Sequence, residues 1–388
     1  MKIAIYYPWI HLKSGVERTI LETVRRSKHK YTIFTNHYDR KGTYPEFKNL
    51  KVVELRKIPV RRNLFSVFQA AVIIIFQKID LMPYDLLLVH SEGMGDLILF
   101  RNNKIPAVCY CHTPLRPVFD IDYKKRVFTK KNIFGKTIYI VFAYIFRVVD
   151  RFLWQRYKHV LFNSKETLMR AKGGNLIGKN TKCQILHPGV DWLNIKNTNK
   201  PKKYFLVPGR IMWTKNIELA IISFNRFQEI TEWKSGFKLV IAGQVDHKSR
   251  DYFNLLKSLS AKNKKIEFVA NPSEEKMKKL YTNCFLTLCT SFNEDWGMVA
   301  VEANSFAKPV IAVNKGGFLE SQIDGITGYH LKADPVVFGE KMQLLVNDRK
   351  LYRKMSNSAR KESRRYDWSC FIKSFDSTIS RLWKGNNR

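Results

Sequence analysis

The chain has 388 residues, too many for one ordinary core and enough for two domains. Its 45% hydrophobic and 13% aromatic content excludes disorder as the main state. A formal net charge of +35 points to an anionic partner: nucleic acid, an acidic membrane face or phosphorylated small molecules.

Met1-Lys2 leads straight into the strand-like run IAIYYP, so no secretory leader is expected. Apolar runs of strand length then alternate with helix-period segments: KIAIYYP, YTIFT, LKVVEL, DLLLVHS, PAVCYCH and HVLFNS, separated by stretches such as VERTILETVRR. Strands that are apolar throughout predict a parallel sheet covered on both faces. The first doubly wound domain is expected over 1–187. The nicotinamide-type G-x-G-x-x-G is missing from YYPWIHLKSGVERT, which argues against an oxidoreductase on the same fold class.

Two longer apolar stretches follow in this half, FSVFQAAVIIIF (65–76) and TIYIVFAYIF (137–146). Both are shorter than the roughly 18–20 residues that spanning needs. They read as buried helices, with helices lying in a membrane surface as the alternative, since Arg61-Arg62 and Arg147 flank them. Between them stands CYCHTPLRPVFD (109–120), which puts His112 at a strand end. Next, Asp120-Ile121-Asp122 has the Asp-x-Asp spelling of a metal site. Lys124, Lys125 and Arg126 follow at once and oppose a divalent ion, so Asp120 is read as a partner of Arg116. The stretch YKKRVFTKKNIFGK (123–136) mixes basic and aromatic residues and suits an anionic surface.

The pattern restarts after the polar, lysine-rich passage WLNIKNTNKPKK (192–203). YFLVPG, KLVIAG, KIEFVA, CFLTLCTS, PVIAV and GYHL form a second strand series, and NIELAIISFNRF carries apolar residues at 217, 220, 221, 224 and 227. The expectation is two Rossmann-like domains, 1–187 and 188–368, facing across a cleft, with ligands at the carboxyl ends of strands. Residues 369–388 are expected to cross back to the first domain. Six cysteines fit no metal-ligand spacing, and a reducing cytoplasm is expected.

Two loops of the second domain carry the chemistry. In GRIMWTKNIELAI, Gly209 allows a sharp turn while Arg210 and Lys215 flank a helix start, a good cradle for a diphosphate. In SFNEDWGMVAVEA (291–303), Glu294 falls at a strand end and Glu302 more than one turn inside the next helix. Backbone N–H groups of Trp296, Gly297 and Met298 would face an anion or a hydroxyl. At 1.5 Å per helical residue the two carboxylates approach about 10 Å separation. A glycosidase pair sits opposed across a bond at roughly 5–9.5 Å. Two carboxylates on one side of a pocket are better placed to accept hydrogen bonds from separate polyol parts of one ligand.

Glu294 and Glu302, with Gly-Met-Val-Ala-Val between them, resemble the paired-glutamate motif of retaining GT-B glycosyltransferases of family 4. Gly209–Asn216, AGQ (242–244), EFVANPSEEKMKKLY (267–281) and KPVIAVNKGGFLESQIDGITGYHL (308–331) follow in that family's order. KSGVERTI (13–20) resembles its Gly-rich first loop, with Ser14 in place of one glycine and Gly15 kept. His112 to Arg116 resemble the His-Thr-Pro-x-Arg segment of a bacterial and archaeal mannosyltransferase-like branch. The resemblance implies an α/β GT-B fold and a metal-independent retaining hexosyltransferase with no cofactor. GDP-mannose is favoured over a UDP-hexose as donor, and a glycan or lipid-linked glycan is the acceptor. It implies that Arg210 and Lys215 bind the diphosphate, Glu302 the ribose and Glu294 the sugar hydroxyls. Ala270 and Asn271 would line the base, and His112 would face the reacting carbon. The implied setting is the cytoplasm, peripheral on the inner face of the cell membrane. The rival class is nucleic-acid binding, which net charge alone supports.

Overall fold

The computed structural model describes residues 1–61, 63–129, 132–192 and 200–386. Most of the 192–203 passage, Arg62, and Lys130-Lys131 of the basic stretch therefore lie outside the described residues. Contacts divide the chain into two compact units, Met1–Pro188 with Trp368–Arg388, and Gly189–Asp367.

The first unit is built on a seven-stranded parallel sheet. Its strands are β1 (Lys2–Tyr6), β2 (Lys30–Thr35), β3 (Val52–Glu54), β4 (Leu86–Ser91), β5 (Ala107–Cys111), β6 (His159–Phe162) and β7 (Lys182–Ile185). The order is β3-β2-β1-β4-β5-β6-β7, so the chain reverses its direction of growth between β1 and β4. All residues of β4 and β5 are buried, as continuous apolar runs covered on both faces require. Helix α1 (Gly15–Arg26) links β1 to β2. It is started by Ser14, whose side chain accepts from the Val16 amide at 3.2 Å.

Three further helices of this unit are α2 (Leu64–Phe76), α3 (Ile121–Thr129) and α4 (Ile133–Trp154). Both α2 and α4 pack against a 3-10 helix at Met94–Phe100. The reading of these stretches as buried helices is corrected here. Ala70 and Ile74 of α2, and Tyr139, Ala143, Phe146, Asp150, Leu153 and Trp154 of α4, are buried. Phe65, Phe68 and Phe76, and Ile140, Tyr144 and Ile145, stay in solvent. An apolar run alone does not say how much of a helix the core can cover. Among the described residues no helix is long and apolar enough to cross a membrane.

The second unit holds a six-stranded parallel sheet of β8 (Tyr204–Pro208), β9 (Lys238–Gly243), β10 (Ile266–Ala270), β11 (Leu286–Cys289), β12 (Val310–Val313) and β13 (Gly328–Leu331). Its order, β10-β9-β8-β11-β12-β13, repeats the reversal, now between β8 and β11. Two helices matter for the site, α5 (Ile217–Ile230) and α6 (Met298–Ser305). The stripe at 217, 220, 221, 224 and 227 is buried in this unit's core. The terminal helix α7 (Trp368–Asn386) groups with the first unit. There Asp376 accepts from Ser27 Oγ at 2.5 Å and from the Lys28 amide at 3.1 Å, and Phe371 meets Tyr110 edge-on.

Candidate donor site

In an open α/β sheet the loops leaving two neighbouring strands diverge where the strand order reverses, and the opening between them is the usual ligand site. In the second unit that point lies between β8 and β11, paired at Phe205–Leu286 and Leu206–Thr287. The loop after β8 carries Gly209, Arg210 and Lys215. The loop after β11 carries Glu294. Fold topology thus brings together two sequence segments about 80 residues apart.

The turn after β8 depends on two glycines. Gly209 has φ +115°, and its carbonyl lies where a side chain on Gly243 would be, 1.7 Å from an added Cβ. That contact lets the Gly209 amide donate to the Ala242 carbonyl at 3.0 Å and the Ile211 amide to Gln244 at 2.8 Å. The chain then makes a 3-10 turn at Trp213–Lys215 and enters α5 through Asn216 in the left-handed region. Arg210, half-buried, has no ion-pair partner among the described residues.

Lys215 does have one. Its Nζ donates to Glu294 Oε2 at 2.6 Å, and both side chains are about one-fifth exposed. Ser291 Oγ donates to the same oxygen at 2.8 Å. The loops are also tied through backbone: Thr290 Oγ1 donates to the Lys215 carbonyl at 2.9 Å, and the Phe292 amide to Thr214 at 3.1 Å. Burial pushes the Glu294 carboxyl upward, but the Lys215 charge, its hydrogen bond and that from Ser291 outweigh it. The net effect holds Glu294 below the usual carboxylate range.

Gly297, at φ +88°, starts α6, leaving the first N–H groups of that helix directed out of its end. Glu302 is the fifth residue of the helix and accepts from Tyr281 OH at 2.8 Å. The two glutamates are thus held by different partners. Asn271 adopts φ +51° just beyond β10, and its Oδ1 accepts from the Val245 amide at 2.9 Å. Ala270 ends β10, and Gly243 is its register partner on β9. Trp296 is buried, its ring edge-on to Tyr366 at 5.1 Å, and Met298 packs partly against the same cluster.

Four supporting residues lie inside the quoted motifs without a role predicted for them: Ser291, Tyr281, Gly316 and Gly317. A Cβ on Gly316 would stand 2.5 Å from the Glu294 carbonyl, and one on Gly317 would stand 2.5 Å from Trp296 Cα. The Gly317 amide donates to Glu294 O at 2.7 Å, so this turn is the floor under the glutamate loop. The adjacent glycines after a buried strand were the available signal.

In the first unit, His112 follows β5 and is buried. Its Nε2 lies 3.0 Å from His90 Nδ1, and the two rings stack 5.2 Å apart. Burial pushes His112 down to about 3; burial and then the neighbouring His112 push His90 well down too. Gly15 is exposed as the first residue of α1. Ser14 donates to Glu17, whose burial raises it to about 7. Asp120 meets Arg116 at 2.8 Å, as the sequence suggested, and Arg170 at 3.4 Å. Its other oxygen accepts from the Asp122 and Tyr123 amides. That carboxylate caps α3 while its other oxygen is paired with arginine. Among the described residues no cluster of His, Cys, Asp and Glu is arranged to hold a metal ion.

Two family models match consecutive parts of the chain, Glycosyltransferase Family 4 over residues 13–192 and Glycosyl transferases group 1 over residues 191–362. The chain is 25% identical to the alpha-1,3/1,6-mannosyltransferase ALG2 of Dictyostelium discoideum, across 98% of each. It is 28% identical to an uncharacterized glycosyltransferase of Methanocaldococcus jannaschii, over 44% of this chain and 43% of that one. Among solved structures, Anabaena HepE in complex with UDP and glucose superposes with a TM-score of 0.76 at 14% identity, over 98% of this chain and 100% of that one.

Proposed function

Because this chain belongs to the family 4 glycosyltransferases of GT-B fold, we propose that it moves mannose from GDP-mannose to a hydroxyl of a glycan or lipid-linked glycan, retaining the anomeric configuration without a metal ion. The observation that carries this reading is the Lys215–Glu294 pair at the β8/β11 reversal, on a loop that also carries Arg210 and beside the start of α6. As a glycosidic bond to a diphosphate breaks, negative charge grows on the phosphates and positive charge on the sugar ring. Arg210, Lys215 and the helix start oppose the first with charges already in place. Glu294 takes the hydroxyls of the transferred sugar and Glu302 the ribose, with Ala270 and Asn271 beside the base. The Gly15 loop and His112 are assigned to the sugar side.

The preference for mannose rests on the His112–Arg116 segment and on the full-length likeness to a named mannosyltransferase. The acceptor is placed at the cytoplasmic face of an anionic membrane, where the chain's positive charge is matched. The test is a panel of GDP- and UDP-sugars in thermal melting, with Lys215→Ala alongside. GDP-mannose should raise the melting temperature of the wild type and have little effect on the variant. A response confined to a UDP-hexose reassigns the donor. No response to any nucleotide sugar, or an identical response in Lys215→Ala, removes the donor site. A salt-dependent shift of random duplex DNA without any nucleotide-sugar response supports the nucleic-acid alternative.

A further inference from the structure

Strand β4 reads LLLVHS and is buried throughout, and His90 is the one titratable side chain in it. An imidazole so placed is costly unless its polar atoms are engaged. Tyr110 is its register partner on β5, with the rings 5.4 Å apart, but the Tyr110 OH donates elsewhere, to the Leu186 carbonyl at 2.7 Å. The polar contact that His90 does make runs from Nδ1 to His112 Nε2 at 3.0 Å, between rings whose planes differ by 27°. His112 is also held through its backbone. Its amide donates to the Ser91 carbonyl at 2.9 Å, and its own carbonyl accepts from Asn163 Nδ2 at 2.8 Å. With the backbone fixed on both sides, His90 decides what the His112 ring presents.

Burial holds both rings neutral, so each carries one proton and the bond between them takes a single hydrogen. Two arrangements satisfy that count. If the hydrogen sits on His112 Nε2, His90 must keep its own on Nε2, a buried atom without a hydrogen-bond partner among the described residues. If it sits on His90 Nδ1, that buried Nε2 is a bare acceptor and His112 keeps its proton on Nδ1. A buried N–H with no acceptor is the rarer state, which selects the second arrangement. His112 Nδ1 also has no partner among the described residues. Unlike His90 Nε2, however, it is not sealed, in a residue 5% exposed, so a ligand can reach it.

We infer that His90 is a positioning residue: it donates from Nδ1 to His112 Nε2 and thereby fixes His112 as a hydrogen-bond donor, through Nδ1–H, to an oxygen of the transferred sugar. The inference rests on the placing of His112 on the sugar side in the reading above. It also removes a role from His112. With Nδ1 protonated and Nε2 already accepting, the ring has no nitrogen left to take the proton of an incoming hydroxyl.

The test has two parts. The nitrogen spectrum of the full chain, labelled with nitrogen-15 in its histidine rings and recorded at neutral pH, reads the tautomer directly, and His112→Gln identifies the His112 signals. His112 should be protonated at Nδ1 and bare at Nε2. Protonation at Nε2 overturns the inference without any ligand or His90 variant. The second part compares calorimetric binding of GDP-mannose with that of GDP, or UDP-glucose with UDP if the donor is a UDP-hexose. His90→Phe keeps a ring and removes the donating nitrogen. It should cut the affinity that the sugar adds by about threefold to tenfold, the value of one hydrogen bond, and leave the bare diphosphate unchanged. His90→Asn, which offers an N–H near the place of Nδ1, should restore that increment and the Nδ1–H tautomer. A role in packing alone predicts the reverse, tolerance of Phe and loss in Asn, and that result also overturns the inference. The expected ring signals in a chain that binds neither sugar nucleotide would support the histidine pair and remove the donor reading instead.

Discussion

Lys215 Nζ stands 2.6 Å from Glu294 Oε2, joining the loops that leave β8 and β11. The pair is mostly buried, so losing one member strands the other, whereas neutralising both leaves little behind. Lys215→Met should lower unfolding stability by about 1–3 kcal/mol in urea titrations, and Lys215→Met/Glu294→Gln by clearly less. Because Glu294 is held below the usual carboxylate range, its contribution is present above the unfolded pKa. It is lost as pH falls through the lower folded value. The stability gap between wild type and Glu294→Gln should therefore close in acid. A gap that widens there contradicts the pairing.

The two glutamates have different anchors, Lys215 and Ser291 for Glu294, Tyr281 for Glu302. Their proposed ligand contacts also differ, so a donor without its sugar separates them. Glu302→Ala should weaken calorimetric binding of the nucleoside diphosphate about tenfold to a hundredfold, the value of a charged hydrogen bond. Glu294→Ala should leave that affinity within a few-fold and lose the increment the sugar adds. Equal losses in both variants for the bare diphosphate would contradict the division of roles.

Gly243 meets the Gly209 carbonyl so closely that a Cβ would stand 1.7 Å from it, and the contact is backbone on both sides. Gly243→Ala must push the Arg210 loop off β9. The expected cost is about 1–3 kcal/mol, the range for overpacking, with loss of the nucleotide-sugar melting shift. Gly173→Ala is the control, since a Cβ there has nothing within 4 Å. A Gly243→Ala chain that keeps wild-type stability and nucleotide response would show that the loop does not need this contact.

What the sequence displayed and what it hid divide along physical lines. The apolar runs that became β1, β4, β5 and β9 were legible because strands buried on both faces have no polar side to disguise them. The strand Lys182–Ile185 was not, since KCQI lies at a sheet edge and stays largely uncovered. Arg210, Lys215 and Glu294 could be picked out because each stands at a strand end or helix start, and Glu302 because it follows Glu294 at a fixed spacing within the next helix. Their pairing could not, because Lys215 and Glu294 meet only through β8–β11 alignment. Gly316 and Gly317 were visible as a motif, but their purpose depends on the Glu294–Trp296 backbone of an earlier loop. The helices α2 and α4 misled for a simple reason. A segment apolar on every side has the same composition whether protein or something else covers its outer face.

His112 and His90 share a buried hydrogen bond, and burial keeps His112 at about 3. The folded state therefore refuses a proton that the unfolded chain accepts near pH 6.5. Stability should be full above that pH and decline as pH falls towards 3, at about 1.4 kcal/mol per pH unit for this one proton. His112→Gln should reduce the slope of that acid limb by this amount in urea titrations. The same burial makes His112 neutral throughout pH 5–8, so turnover should show no inflection from it. An inflection near 6.5 that vanishes in His112→Gln would contradict the buried, neutral assignment.

Asp150, on the inward side of α4, is fully buried, and the Trp154 indole is the polar group that favours its charged form. Nearby Asp96 is also buried and accepts from Ser91 Oγ at 2.6 Å and Tyr157 OH at 2.7 Å. Burial, and for Asp150 then the charge of Asp96, raises both carboxyls, Asp96 to about 6. The sign is opposite to that of Glu294. A raised folded pKa means that the folded state holds a proton longer than the unfolded chain, so stability is full below about pH 4 and falls as pH rises. Asp150→Asn keeps the shape and removes the ionisation. It should gain at least about 1 kcal/mol over the wild type above pH 6, and little or nothing at pH 4. Melting at the two pH values distinguishes this from a general packing effect, which would be equal at both. A variant less stable than the wild type at high pH would mean that Asp150 is ionised and stabilised in place.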